Sequence, residues 1–373
     1  MKRSKSSPNT QTGKNLQQID TLFETAGLVR NRRNTPAGIT SRLRQLRRHA
    51  ATRQELLTHA PTPTRFPNGV ELLQVPAWRD IKGLSNWLWH GFSTRLGGVS
   101  RAYCADGAPG ELNLSFTTAD TREAVLANRR LFAEAVTGNA STPLVPLRQF
   151  HSNLIVIAEN DDASRERPRK AGVHRDSSMS LGCKADGVIS ATPGLLLAIQ
   201  TADCIPVLVA DRKRRIVAAF HAGWRGTVKR IVELGIGRMR LQFGSRAEDL
   251  VAAIGPGVRQ CCYAVGEEVV PEFEAQFSYA RELFREVFDS DPVRARYPML
   301  FLTQRAPGHS PIGPALHLDL IEANRRQLLD AGLKPSAISI TGGCTSCHTA
   351  LFFSHRASRG HAGRMMSVIG ILG

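Results

Sequence analysis

The chain has 373 residues, 42% of them hydrophobic and 22% charged, with seven cysteines and a formal net charge of +17. That composition is globular, and the length suffices to bury a sizeable core. It excludes transmembrane helices, since no run approaches the ~20 apolar residues a bilayer requires. An odd, scattered set of cysteines without an export signal fits free thiols or metal ligands rather than a disulfide framework.

The charge is unevenly placed. Residues 1–58 carry twelve Lys/Arg against Asp20, Glu24 and Glu55, so +9 of the +17 sits in the first sixth of the chain. An arginine-rich tail can bind nucleic acid or another acidic partner by counterion release. No aromatic residues alternate with the basic ones, and a solvated, partly disordered extension is the simpler reading. Met1-Lys2-Arg3 is a basic start with no apolar stretch behind it, which is not a secretory signal, and a cytoplasmic location is expected.

Ser41–His59 reads as a basic helix, after which Pro61, Pro63 and Pro67 punctuate the chain. Residues 1–66 are therefore expected to be an extension and residues 67–373 a single catalytic domain. Within it, apolar runs at Leu154–Ala158, Gly187–Ser190, Leu195–Gln200, Val207–Ala210, Ile216–His221, Leu250–Ile254 and Ala337–Thr341 predict strands. Helices are predicted over Thr121–Thr137, Thr227–Phe243, Gly266–Phe277, Ser278–Phe288 and Leu318–Ala331, with Gly138, Gly244 and Gly332 as stop signals. Asp161–Lys170, polar and of mixed charge, reads as a surface loop. Strands without strict alternation with helices imply a mixed α/β (α+β) sandwich.

The segment Ile199-Gln-Thr-Ala-Asp-Cys-Ile-Pro206 and the nearby Phe220-His-Ala-Gly-Trp-Arg-Gly226 place a thiol and an imidazole at the ends of two strands. His151, in Arg148-Gln-Phe-His151, stands upstream. His151, Cys204 and His221 make a three-ligand zinc site with an open fourth position, although on composition and spacing alone a lone Cys after an apolar strand is more often a small buried hydrophobe. Asp203 is a candidate base, orienting group or turn residue. Arg225, at the glycine-flanked start of a helix, suits a phosphate or a structural ion pair. Arg95, in His90-Gly-Phe-Ser-Thr-Arg-Leu-Gly-Gly-Val-Ser100, suits an oxyanion or a solvent-facing hairpin.

The motifs Phe92-Ser-Thr-Arg-Leu-Gly-Gly98, Leu112-Asn-Leu114, Gln149-Phe-His151, Lys184-Ala-Asp-Gly187, Thr201-Ala-Asp-Cys204, His221-Ala-Gly-Trp-Arg-Gly226, Ile254-Gly-Pro256 and Phe352-Phe-Ser-His-Arg356 occur in that order. In this the chain resembles the YfiH/PgeF-type laccase-domain family, described as polyphenol oxidase, purine nucleoside phosphorylase and peptidoglycan editing factor. The matches cover nearly all of residues 88–370 and omit the basic tail. Phe150 and His355 depart from the family's usual Val and Tyr.

The resemblance implies a metal site of His151, Cys204 and His221 and a sandwich similar to a toxin deamidase domain. It also implies phosphorolysis of adenosine, inosine, guanosine and methylthioadenosine, with adenosine deamination at the same site. On that reading Zn is the cofactor, with Cu as the alternative, and purine nucleosides and phosphate are the partners. Deamination would send a metal-activated water to C6 of adenine, with Asp203 as the candidate acid. In phosphorolysis, Arg95 and Arg225 would hold the phosphate.

Three other readings can be weighed on residues. A multicopper laccase needs His-x-His pairs, and none of the eleven histidines forms one; a mononuclear Cys/His copper centre stays open. Cys204 and His221 could instead be the nucleophile and base of an amidase acting on muropeptide precursors. Cys344-Thr-Ser-Cys-His348 spells a haem-attachment motif, but a redox or accessory metal role for the cysteine pair fits a chain without an export signal better.

Overall fold

The computed structural model of the chain describes residues 51–159, 183–288 and 315–373. The basic tail and the Asp161–Lys170 loop fall outside the described residues. In chain order the strands begin with β1 (Ala51–Thr52), β2 (Thr64–Arg65), β3 (Glu71–Leu73), β4 (Leu88–Ser93), β5 (Leu96–Ser100) and β6 (Leu144–Pro146). They continue with β7 (Ile155–Ile157), β8 (Gly187–Ser190), β9 (Leu196–Thr201), β10 (Ile205–Asp211) and β11 (Ile216–Ala222). The last are β12 (Leu250–Ile254), β13 (Phe284–Phe288), β14 (Ala315–Leu318), β15 (Ile338–Ile340) and β16 (Met365–Ile371). The helices are α1 (Pro76–Arg79), α2 (Arg122–Thr137), α3 (Trp224–Val228), α4 (Ile231–Phe243), α5 (Val269–Glu274) and α6 (Leu320–Asp330). No helix among the described residues is long and apolar enough to cross a membrane.

Two six-stranded sheets, ordered β15-β12-β10-β11-β8-β7 and β2-β3-β4-β16-β9-β6, form the mixed α/β sandwich. Leu208, Val217, Ala219 and Ala253 of the first sheet pack against Leu197, Ile199, Ile369 and Phe92 of the second. The outer face of the second sheet is covered by α2, through Phe132 and Ala133 against Leu196, Ala198 and Val368. Burial on both faces explains why β10 and β11 read as continuous apolar runs, since every residue in each is buried. Helix α2 is bounded by its own chemistry: the Thr121 hydroxyl accepts from the Ala124 N–H, and Gly138 takes the left-handed φ of 79° that closes it.

Four expected elements differ. β1 and β2 lie before the Pro67 boundary yet pair with β13 and β3, so the compact unit begins at Ala50. Of the helix expected at Ser41–His59, the described part is β1 and one 3-10 turn at Gln54–Leu56. The helix expected over Thr227–Phe243 is divided, because Arg230 adopts a φ of 60° between α3 and α4. Ser278–Phe288 is a 3-10 turn followed by β13, which is hydrogen-bonded on both sides by β1 and β14. Pairing along two edges overrides the helix propensity of its Arg and Glu residues.

Candidate active site

The chain passes from one sheet to the other at residues 202–204, between β9 and β10. Cys204 sits in that crossover, His221 near the end of β11, and His151 in the loop after β6. Their ligand atoms lie within 4.8 Å of one another, with Cys204 Sγ 3.6 Å from His151 Nε2. The His151 and His221 rings meet edge to face, 4.9 Å between centroids. Two residues here are held in the left-handed region, His151 and Asp203, with φ values of 62° and 92°. Gly223 completes the convergence, because a Cβ there would stand 2.8 Å from His151 Cδ2 and 2.9 Å from Cys204 Sγ.

The residue that assembles this cluster is Asp186, buried just before β8. One oxygen of its carboxylate accepts from His221 Nδ1 at 2.8 Å and the His151 N–H at 3.0 Å. The other accepts from the Ser152 N–H and hydroxyl, each at 2.6 Å. A single carboxylate thus fixes the backbone of one histidine and the tautomer of the other, leaving His221 Nε2 for a ligand. Burial opposes ionisation of Asp186, but these hydrogen bonds outweigh it and hold the carboxyl well below the usual range.

The same arrangement polarises Cys204 and His221. Burial disfavours the thiolate, yet the charge on His221 and hydrogen bonds from both histidines bring Cys204 down to about 6. Burial likewise disfavours the imidazolium, but the Cys204 charge and Asp186 raise His221 to about 9. One thiolate and two imidazoles lining a cavity are the donors of an N₂S site for a zinc-like divalent ion, with the fourth coordination position left to the cavity. The residues present fit that group.

The cavity above the cluster measures about 720 Å³, within the range of ligand pockets. Its walls include Arg129, Arg225, Arg356 and Arg364, and none of the four pairs with a carboxylate among the described residues. Arg225 lies 4.4 Å over the Trp224 ring, and Arg129, lowered to about 10 by burial, lies 4.4 Å over Phe116. Trp224, Tyr263 and His355 add flat faces to the lining. Burial raises the Tyr263 hydroxyl above its ordinary value, keeping it a neutral donor.

Of the six residues singled out from sequence, the structure brings His151, Cys204, His221, Asp203 and Arg225 to this cavity. Arg95 is elsewhere. Its guanidinium pairs with Glu111 at 2.5 Å, donates to the Thr349 carbonyl at 2.6 Å and covers the Phe353 ring. The bridge between Leu96 and Glu111 sets that carboxylate beside it, so Arg95 buttresses a loop. Asp203 reaches the lining, but its carboxylate accepts from Thr345 and Ser354 hydroxyls, both at 2.7 Å, and from the Arg356 N–H at 2.6 Å. It ties the crossover to the 345–356 loop.

Asp186, Arg129, Arg356, Arg364 and Tyr263 were not singled out for a role. Asp186 and Arg356 stand inside the Lys184-Ala-Asp-Gly187 and Phe352-Phe-Ser-His-Arg356 motifs, and the signal for Asp186 was a carboxylate directly before an apolar strand.

Comparison with known proteins places the chain in a family. Residues 89–372 match the family described as multi-copper polyphenol oxidoreductase laccase. A purine nucleoside phosphorylase of Bacteroides thetaiotaomicron is 32% identical over 78% of this chain and 94% of its own. Adenosine deaminase RL5, from an unknown prokaryotic organism, is 29% identical over 80% of this chain and 98% of its own. The crystal structure of the hypothetical protein YfiH of Bacillus licheniformis superposes with a TM-score of 0.61 at 28% identity, covering 82% of this chain and 97% of that one. The family match spans most of the folded unit and includes His151, Cys204 and His221: the chain belongs to the multi-copper polyphenol oxidoreductase laccase family.

Proposed function

We propose that this chain is a zinc-dependent purine nucleoside phosphorylase that also deaminates adenosine, the metal held by His151, Cys204 and His221. The observation that carries the reading is one cavity with an N₂S cluster at its base and four arginines without carboxylate partners among the described residues. The relatives named purine nucleoside phosphorylase and adenosine deaminase support it. A zinc ion bound there supplies Lewis acidity toward an oxygen ligand and eases deprotonation of water.

The chain's own groups do the rest. Arg225, exposed to the cavity and held in place by Trp224, is the leading phosphate ligand; Arg129, Arg356 and Arg364 supply further positive charge. Phosphorolysis needs this, because an anion must approach the ribose anomeric carbon while electrons move onto the departing base. Trp224, Tyr263 and His355 offer stacking faces for a purine, and the neutral Tyr263 hydroxyl can donate to a ring nitrogen. Asp186 orients both histidines. Asp203, fully engaged with three donors from one loop, is assigned to shaping the cavity rather than to proton transfer.

One observation favours a second reading. Cys204, His221 and Asp186 form a thiol–imidazole–carboxylate series with a lowered thiol and a raised imidazole, which is how a cysteine amidase activates its nucleophile. His151 against the same sulfur favours metal, since a nucleophile needs only one base. Purified, metal-analysed protein incubated with adenosine, with and without phosphate, tests both. Adenine formed only with phosphate supports the phosphorylase, and inosine in both samples supports the deaminase. Untouched adenosine in both, with a Cys204 that alkylates without chelator and so holds no metal, would overturn the proposal in favour of the amidase.

A further inference from the structure

The C-x-x-C pair at Cys344 and Cys347 is half of a larger cluster. Residues 258–263 fold back against it through the bridge between Gly257 and Cys344, and the Thr345 N–H donates to the Gly257 carbonyl. This brings the adjacent Cys261 and Cys262 onto the same point. The four Sγ atoms lie within 4.8 Å of one another; Cys347 is 3.5 Å from Cys261 and 3.3 Å from Cys262. A tetrahedral site with Zn–S bonds of ~2.3 Å has sulfur–sulfur edges of about 3.8 Å. All four cysteines are free thiols, and Cys261 and Cys344 are wholly buried.

The surroundings match a metal tetrathiolate. Four thiols binding one divalent ion release four protons to solvent and leave a net charge of −2. Two N–H groups already point at the sulfurs: the Arg259 amide at Cys344 Sγ, 3.4 Å, and the Arg53 guanidinium at Cys262 Sγ, 3.2 Å. Such donors offset thiolate charge and fix ligand orientation. His348, the residue that would ligate haem iron in the C-x-x-C-H motif, is committed elsewhere, its Nε2 lying 2.9 Å from the Thr58 carbonyl.

We propose that Cys261, Cys262, Cys344 and Cys347 bind a structural zinc ion, a second metal site separate from the cluster at His151, Cys204 and His221. The site clamps two loops that build the cavity wall. Tyr263 follows Cys262 directly, and Thr345, between the other two ligands, holds the Asp203 carboxylate. The ion therefore sets the position of the wall without meeting substrate, since none of the four cysteines lines the cavity.

Metal counting on the full chain tests this. Wild-type protein purified with zinc should carry two ions, with Cys204→Ser retaining one and the double variant Cys344→Ser/Cys347→Ser losing one. Cobalt-loaded Cys204→Ser should show the strong sulfur-to-metal charge-transfer bands of a tetrathiolate. In case the double variant does not fold, alkylation of native wild-type protein provides the second measurement: Cys261, Cys262, Cys344 and Cys347 should stay protected until a chelator is added. A Cys204→Ser protein without metal, four cysteines alkylated before chelation, or two disulfides among them would each overturn the proposal. One ion in wild type that survives in Cys204→Ser would uphold this site and count against the other.

Discussion

Two sulfur-bearing clusters are built from successive stretches of the chain, residues 151–221 and 261–347, and their surroundings differ. At the first, one thiol meets two imidazoles at the base of a cavity, and a carboxylate behind them sets their protonation. At the second, four thiols meet one another, with arginine and amide donors beside them, and none of the four lines the cavity. A metal with three protein ligands has room for a reactant, while one with four does not. Sulfur alone therefore says little; what fills the remaining position of the sphere decides between chemistry and scaffolding.

The sharpest way to separate the two is Cys204→Ser. It should lower kcat/KM for adenosine phosphorolysis by about a thousandfold or more, in line with losing metal catalysis, while thermal unfolding stays near that of wild type. The Cys344→Ser/Cys347→Ser variant should reverse the pattern, with the larger change in Tm. Equal Tm losses in both would dissolve the distinction.

A comparison of buried histidines comes next in size. His221, although burial opposes its charged form, is raised by the Cys204 charge and by Asp186, whereas His90, buried with its Nε2 accepting from the Val75 N–H at 3.0 Å, is lowered by burial to about 4. The unfolded chain takes up its proton near 6.5, before the folded one does. Stability due to neutral His90 is thus full above pH 6.5 and drains as pH falls toward 4, by about 3 kcal/mol. Denaturant midpoints across that window should show the loss in wild type and a much flatter profile in His90→Gln.

Asp186→Asn should keep the fold but misorient His221, lowering metal affinity and kcat/KM by about 10- to 100-fold. Titration with a competing chelator reads the first directly. Smallest is Arg225→Ala, expected to raise the KM for phosphate by about tenfold, close to the worth of one charge-assisted hydrogen bond, with kcat for deamination unchanged. A loss of deamination as well would place Arg225 at the purine.

Much of the sandwich was legible because its central strands are buried on both faces and announce themselves as apolar runs, as at Val207–Ala210. The convergence of His151, Cys204 and His221 was legible through the motifs that surround them. Asp186 was not, because its importance is a convergence: residues 150–152 and 221 meet on its two oxygens, and no local spacing encodes that. Arg95 was misread for a related reason. A glycine-rich loop looks the same whether its arginine faces an anion or Glu111. The thiol tetrad was half seen, since Cys344 and Cys347 form a recognisable pair, whereas Cys261 and Cys262 are brought to them only by the β12-to-β15 pairing.

The place of β16 in the second sheet bears on how this chain is made. It lies between β4 and β9, and Met366 donates its N–H to the Ser93 hydroxyl from 273 positions away. A ribosome must therefore deliver residue 371 before β4 and β9 have their common neighbour. Until then both strands offer open edges to other nascent chains, which makes this sheet the region where a chaperone would be expected to act.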